Sequence, residues 1–220
     1  MSTSMKTLAA ATLVVLASVL AACTTDAEPA PTSTAPVIQL GAPGEDGRTL
    51  SPDEVAGLTT APYVEADVLF VRDMLHHHSQ ALIMTGYVDE RTDNPDLQLI
   101  AERMDVSQTD EMDLMESWLQ QRGEAARDPD GGHLGHSIAT MPGILTDEQL
   151  AELEAARGAE FDRLFLEYMI IHHQGAITMV TELYEAGGGQ ETAIDQIARH
   201  VEADQNIEIG RMRTMLASMD

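Results

Sequence analysis

The sequence predicts an all-α domain, a four-helix bundle built from two related helical hairpins. Three observations predict it: long stretches with apolar residues every three or four positions, capping signals at their ends, and an internal repeat at a shift of 95 to 97 residues. No alternating run typical of a β-strand competes with these stretches. A hairpin of two helices cannot bury its apolar stripe alone, so the two hairpins are expected to pack together.

The first 22 residues have the composition of a secretory signal peptide. Lys6 precedes an apolar run that ends in small residues and is too short for a transmembrane helix. The run ends in Leu-Ala-Ala-Cys, which resembles a bacterial lipoprotein signal. That resemblance implies cleavage before Cys23, lipidation of its sulfur and anchoring to the membrane outside the cytoplasm; an ordinary secreted protein is the alternative. Cys23 is the only cysteine, so we expect no disulfide and no thiolate metal site.

Residues 23–62 separate this signal from the folded domain. They are rich in Pro, Thr, Ala and Gly without a sustained period, which predicts a flexible tether. Residues 63–220 are enough for one domain with its own core. The chain has 37 acidic against 12 basic residues, a net charge of −25. This charge disfavours nucleic acid as a partner and attracts cations, although a solvated acidic surface explains most of it.

The first hairpin consists of two long helices. An apolar-periodic run covers residues 63–88. Asn94 as N-cap and Pro95 at the first helical position begin the next helix, which extends to about Arg122.

The second hairpin follows a loop. The sequence Thr-Asp-Glu-Gln from Thr146 is a capping box and begins a helix that extends to Glu185, which Gly158 can interrupt. Three glycines at 187–189 end this helix. The last helix covers about residues 191–217.

The repeat places the same metal-ligating side chains on the first long helix of each hairpin. Each copy has a histidine pair with methionine before and after it: Met74, His77, His78 and Met84, then Met169, His172, His173 and Met179. At about 100° per residue, each set falls within one arc of about 120°. Met74 lies roughly 4.5 to 6 Å along the axis from its histidines and can share an ion with them. Met84 lies about 10 Å beyond His77, so it must serve a second site or line an approach.

The ligand types favour copper. Thioether sulfur is a soft donor that suits Cu(I), and imidazole accepts Cu(I), Cu(II) or Zn. Zinc sites rarely use methionine, whereas calcium and magnesium require several oxygen ligands. Di-iron bundles need Glu-x-x-His pairs, and no histidine of the two pairs has glutamate three positions before it. Copper is therefore the expected metal, with silver as a soft analogue. The alternative is structural: methionine as core filler and histidine buried for packing.

The second long helix of each hairpin has a weaker signal. Two carboxylates and two methionines repeat there: Glu111, Met115, Glu208 and Met212. The carboxylates could orient the histidines, ligate directly or be solvated at the edge of the bundle, and the sequence leaves these alternatives open. His136 and Met141 in the central loop could cap a site or be mobile surface residues. His76 has no counterpart in the repeat, which indicates a peripheral position.

These stretches resemble the secreted bacterial family called domain of unknown function 305. The resemblance covers roughly residues 63–215 and is most specific from Met141 to Met179. It implies a ferritin-like four-helix bundle, and some members are extracytoplasmic copper-binding proteins linked to copper resistance. It also implicates the eight residues of the two Met/His stretches. The first copy has a third histidine, His76, where the second has Ile171, which leaves open which histidines ligate.

The leading hypothesis is a lipid-anchored, extracytoplasmic protein that captures copper and buffers it or transfers it to a partner protein, without enzymatic activity. The runner-up is a metal-dependent redox enzyme of the ferritin-like type, disfavoured by the missing Glu-x-x-His motif. No nucleophile–base arrangement is evident either. A structural or interaction bundle without metal is the third hypothesis.

Overall fold

The computed structural model describes four ranges of the chain: residues 36–39, 46–56, 61–126 and 140–219. The predicted signal peptide, Cys23 and His136 lie outside these ranges. The chain divides into two compact units, Met1–Gly57 and Leu58–Asp220.

The first unit has short elements within the predicted tether. Strand β1 (Ile38–Gln39) pairs antiparallel with strand β2 (Arg48–Thr49), and helix α1 (Pro52–Ala56) follows. The Glu54 carboxylate accepts hydrogen bonds from Arg48 and from the backbone and hydroxyl of Ser51. The bond from Arg48 is the largest cause lowering the pKa of Glu54 to about 2. Two-residue strands are too short to show alternation, so the sequence did not predict them.

The second unit is helical throughout its described elements. Its helices are α2 (Glu65–Thr85), α3 (Val88–Arg91), α4 (Pro95–Gln121), α5 (Asp147–Ala155), α6 (Gly158–Glu185) and α7 (Thr192–Ala217). The four long ones, α2, α4, α6 and α7, form the bundle, which confirms the predicted all-α class. In the described part of the chain, every helix is too short or too polar to cross a bilayer.

Local capping fixes the helix ends where the sequence placed them. The Asn94 side chain accepts hydrogen bonds from the first backbone amides of α4. Thr146 forms the predicted capping box, and α6 ends at Glu185. The chain leaves the helical conformation after α5 and enters α6 at Gly158. The φ of Gly158, +59°, lies in the left-handed region that favours glycine.

The long helices pack in the cyclic order α4, α2, α6, α7. Neighbours are antiparallel: Thr85 of α2 bonds Asp105 of α4, while the earlier His78 bonds the later Glu111. At the start of α2, Asp67 accepts the backbone N–H of Gly189, just beyond the end of α6. The two hairpins therefore meet along α2 and α6, where their histidine pairs lie.

The segment before α5 lies directly on this seam. A Cβ added at Gly175 of α6 would come within 2.1 Å of the carbonyl oxygen of Pro142, so only glycine permits the contact. Gly143 has a φ of +74° and turns the segment at the same place. The Gln80 amide accepts from and donates to the backbone of Leu145 at 2.8 and 3.0 Å. These contacts fix Pro142 above α2 and α6.

Substituting Gly175 tests this close approach. Gly175→Ala should lower the free energy of unfolding by about 1–3 kcal/mol, the cost of overpacking, because backbone atoms rather than a flexible side chain must move. Chemical denaturation measures the change. Gly210→Ala is the matched control, since it lies exposed on α7 with open space around its Cβ. It should be neutral or stabilise by up to about 1 kcal/mol. Equal effects of both substitutions would contradict the packing described.

Candidate metal site

The rings of His77 and His172 face each other where α2 crosses α6. Their centroids are 3.7 Å apart with planes inclined by 37°, and both side chains are buried. The Nε2 of His77 lies 3.1 Å from the carbonyl oxygen of Pro142, and the Nε2 of His172 lies 3.0 Å from the carbonyl oxygen of His77. A carbonyl oxygen only accepts, so each Nε2 carries the proton and donates it.

The second histidine of each pair is bonded to a carboxylate from the neighbouring helix. His78 donates to Glu111 of α4 at 2.6 Å, and His173 donates to Glu208 of α7 at 2.7 Å. Both imidazoles are fully buried, and both carboxylates are 6% exposed. The carboxylates therefore orient the histidines and are not solvated at the edge of the bundle. This is one of the roles that the sequence left open.

The Nδ1 atoms of all four histidines are buried and lack a hydrogen-bond partner among the described residues. Burial, followed by the neighbouring histidines, holds the pKa of His77 and of His172 well below the ordinary value, so these rings are neutral. A neutral ring that donates through Nε2 has its lone pair on Nδ1. Metal-ligating histidines have this arrangement, with one nitrogen on the ion and the other donating to a carbonyl or carboxylate.

Eight buried methionines of the bundle divide between two separate apolar clusters. One cluster has Met74, Met115, Met141 and Met179; the other has Met84, Met104, Met169 and Met212. The two flanking methionines of one helix therefore lie apart, and each shares a cluster with a methionine from the other hairpin. Antiparallel packing of α2 against α6 causes this exchange. Each cluster thus combines thioethers from both halves of the repeat.

Two glutamines on the partner helices add further unpaired polar groups. The side-chain amides of Gln108 and Gln205 are almost completely buried, and neither has a hydrogen-bond partner in the described part of the chain. Each lies three residues before the carboxylate that holds a histidine, Glu111 or Glu208. They share a helix face with Glu111 and Glu208, but periodicity gives no sign that they would be buried without partners.

The remaining predicted residues divide into two groups. Met141 is buried beside Met74 and Met179, so it belongs to the core and not to the surface. His76 is only partly buried, whereas His77 and His78 are fully buried. His136 lies outside the described residues.

The buried donor atoms of this core are imidazole nitrogen and thioether sulfur. Nowhere in the described ranges do three or more His, Cys, Asp or Glu side chains converge as a ready ligand set. A soft monovalent ion is satisfied by thioethers and imidazole, which are the donors that this core supplies.

Comparisons with known proteins identify the family of the helical domain. The model of a family described as a domain of unknown function, DUF305, matches residues 67–216. The chain belongs to the DUF305 family. None of the curated proteins compared with the chain matches it.

Solved structures of the DUF305 family share the fold. A DUF305 fragment from Deinococcus radiodurans is 29% identical with a TM-score of 0.63, and the match covers 72% of this chain and 99% of the fragment. A DUF305 protein from Streptomyces coelicolor, described as secreted, is 28% identical with a TM-score of 0.63, covering 70% and 93%. CopM in its Cu(II)-bound form is 26% identical with a TM-score of 0.57, covering 70% and 97%.

The buried neutral histidines predict that the metal-free protein loses stability in mild acid. The pKa of His77 and of His172 is lowered on folding, so below about pH 6.5 the unfolded chain binds more protons than the folded one. The free energy of unfolding should therefore fall from about pH 7.5 to about pH 5.5, by up to about 1.4 kcal/mol per pH unit for each group. Denaturation at a series of pH values measures the slope. His77→Phe with His172→Phe should flatten it, and an unchanged slope in this variant would contradict the assignment.

Proposed function

We propose that this protein is an extracytoplasmic, lipid-anchored copper-binding protein that captures Cu(I) and buffers or transfers it. One observation carries the proposal: four buried Nδ1 atoms without a hydrogen-bond partner among the described residues, on rings that are each oriented by a hydrogen bond at Nε2, in a core with eight buried methionines. Packing alone does not explain why both halves of a repeat bury the same unpaired polar atoms.

The chemistry of the donors supports copper over other metals. Thioether and imidazole together suit Cu(I) and its analogue Ag(I), whereas zinc sites rarely use methionine and calcium and magnesium sites require several oxygen ligands. CopM, a structural relative solved with Cu(II), supports metal binding at the level of the fold family. It has also been solved with Cu(I) and with silver at 24% identity, and those matches bear on the fold alone.

We propose binding rather than catalysis. Each buried glutamate holds a histidine through one carboxylate oxygen, at 2.6 and 2.7 Å, and no histidine of the two pairs has the glutamate three positions before it that di-iron bundles use. A net charge of −25 favours the approach of cations to the surface and disfavours nucleic acid. The protein that receives the ion would be a separate extracytoplasmic partner.

Replacing the methionines tests the proposal with little change in shape. The variant combines Met74→Leu, Met84→Leu, Met169→Leu and Met179→Leu in the chain carrying Cys23→Ser. Leucine nearly conserves volume, so the fold should persist, while uptake of Cu(I) and Ag(I) should weaken by about a hundredfold or more, as it does when ligands or their supports are lost. Competition titration with a chromophoric chelator measures the affinity.

Met219→Leu is the control, because this methionine is 38% exposed and lies outside both clusters. It should bind like the parent protein. Zn(II) should be bound weakly by every variant. A parent protein that takes up neither copper nor silver would refute the proposed function, and unchanged affinity in the fourfold variant would refute the methionine ligands.

The anchor at Cys23 has its own test. Cys23→Ser should move the protein from the membrane fraction to the soluble extracytoplasmic fraction, because the sulfur that takes the lipid is lost. Cell fractionation and metabolic labelling with a fatty acid measure the change. Ser4→Cys, which places a cysteine before the apolar run, should not restore labelling in the Cys23→Ser chain. A Cys23→Ser protein that stays in the membrane fraction would contradict the anchor.

A further inference from the structure

A cavity of about 130 Å³ lies between α2 and α6, beside the segment that contains Pro142. It has mostly apolar walls with two acidic side chains, and its lining includes Ala66, Phe70, Asp73, Met141, Met179 and Glu182. The volume exceeds that of a single water site, so a metal ion with part of its hydration shell fits.

The inner wall of the cavity belongs to the candidate metal site. Met141 and Met179 line the cavity and pack in the same cluster as Met74 and Met115. Pro142 also lines it, and its carbonyl oxygen accepts the hydrogen bond from His77. An ion in the cavity would therefore meet thioether sulfur before it meets imidazole.

The positions equivalent to the cavity in the other half of the repeat carry bulkier side chains. A shift of 95 residues relates the cavity residues to bulkier ones: Ala66 to Phe161, Asp73 to Tyr168 and Glu182 to Tyr87. Phe161 is completely buried, and Met84, the counterpart of Met179, is 0% exposed where Met179 is 5% exposed.

Helix α5 packs against these bulkier side chains. Leu153 of α5 is completely buried in the same cluster as Phe161 and Met84. Arg91 donates to the backbone of Glu154, and the hydroxyl of Tyr168 bonds Glu152, so α5 is tied down on both sides. Within the described ranges of the second unit, no short helix like α5 lies over the cavity.

We infer that the cavity is the port through which a soft metal ion enters and leaves the Met/His core. The inference rests on the proposed function and adds the route by which the ion reaches the core. The exposed carboxylate of Glu182 attracts the cation, the thioethers of Met141 and Met179 replace its water ligands, and the histidines lie beyond them. The end covered by α5 exchanges ions slowly, because its aromatic side chains would have to move.

Filling the cavity with the side chains of the other hairpin tests the port. Ala66→Phe and Glu182→Tyr introduce the residues found at the equivalent positions, and Glu182 is exposed, so its substitution does not threaten folding. Both should slow uptake and release of Ag(I) by about tenfold or more, since entry then requires a conformational change, while the equilibrium affinity stays the same. Stopped-flow exchange against a chromophoric chelator measures both rates in the Cys23→Ser chain.

Controls of equal size lie on the exposed face of α7. Ala203→Phe and Glu202→Tyr make the same changes away from the cavity and should leave the rates unaltered. Unaltered rates in Glu182→Tyr and in a folded Ala66→Phe would overturn the port but not the proposed function. If Ala66→Phe or Glu182→Tyr lowered the equilibrium affinity for Ag(I) as well as the exchange rates, the port would also be overturned, because the cavity would then be part of the binding site.

A measurement without metal separates the two proposals. Mild peroxide treatment followed by peptide mass spectrometry should oxidise Met141 and Met179 faster than Met84 and Met169, and Ala66→Phe should protect the first pair by about tenfold. Ala203→Phe should protect none. Equal oxidation of the four methionines in the native protein would overturn the port even if copper binds, and a protein that binds no metal would still show the predicted order.

Discussion

Four buried imidazoles impose the hydrogen-bonding constraint on which the arrangement of this bundle depends. A buried ring that carries a proton on Nε2 must find an acceptor for it. The chain supplies a different acceptor for each ring: two backbone carbonyls at the crossing of α2 and α6, and two carboxylates from α4 and α7. Every long helix, and the segment at Pro142, is therefore tied to the histidine layer by a specific polar contact.

The same layer leaves polar atoms unpaired. Four Nδ1 atoms and the amides of Gln108 and Gln205 find no partner within the described residues. Leaving a buried polar group unsatisfied costs about 1–3 kcal/mol, so together they are a substantial burden on a bundle whose total stability is about 5–15 kcal/mol. Under the proposed function, an ion that coordinates the Nδ1 atoms would remove part of that burden, and metal binding and folding stability would then be coupled.

The sequence predicted the features that are set locally. Asn94 and Thr146 cap the helices that they were expected to begin, because a cap depends only on residues a few positions away. Periodicity likewise placed the histidines and methionines on one face. It could not show that Met74 would lie with Met179 and apart from Met84, because that grouping depends on how α2 crosses α6. The sequence also could not predict that the Pro142 carbonyl accepts the hydrogen bond from His77, since every residue has a backbone carbonyl.

The two halves agree where they face each other and differ where they face outward. The Met/His face is the same in both copies, and each copy has a carboxylate that holds its second histidine. The flanking positions differ, with Ala66 in one half and Phe161 in the other, and α5 packs in the cluster that contains Phe161. The ligand chemistry of the core is therefore nearly symmetric, whereas its access to solvent is not. Two clusters with similar donors but unequal access would exchange ions at different rates, so the repeat can serve both rapid capture and longer retention.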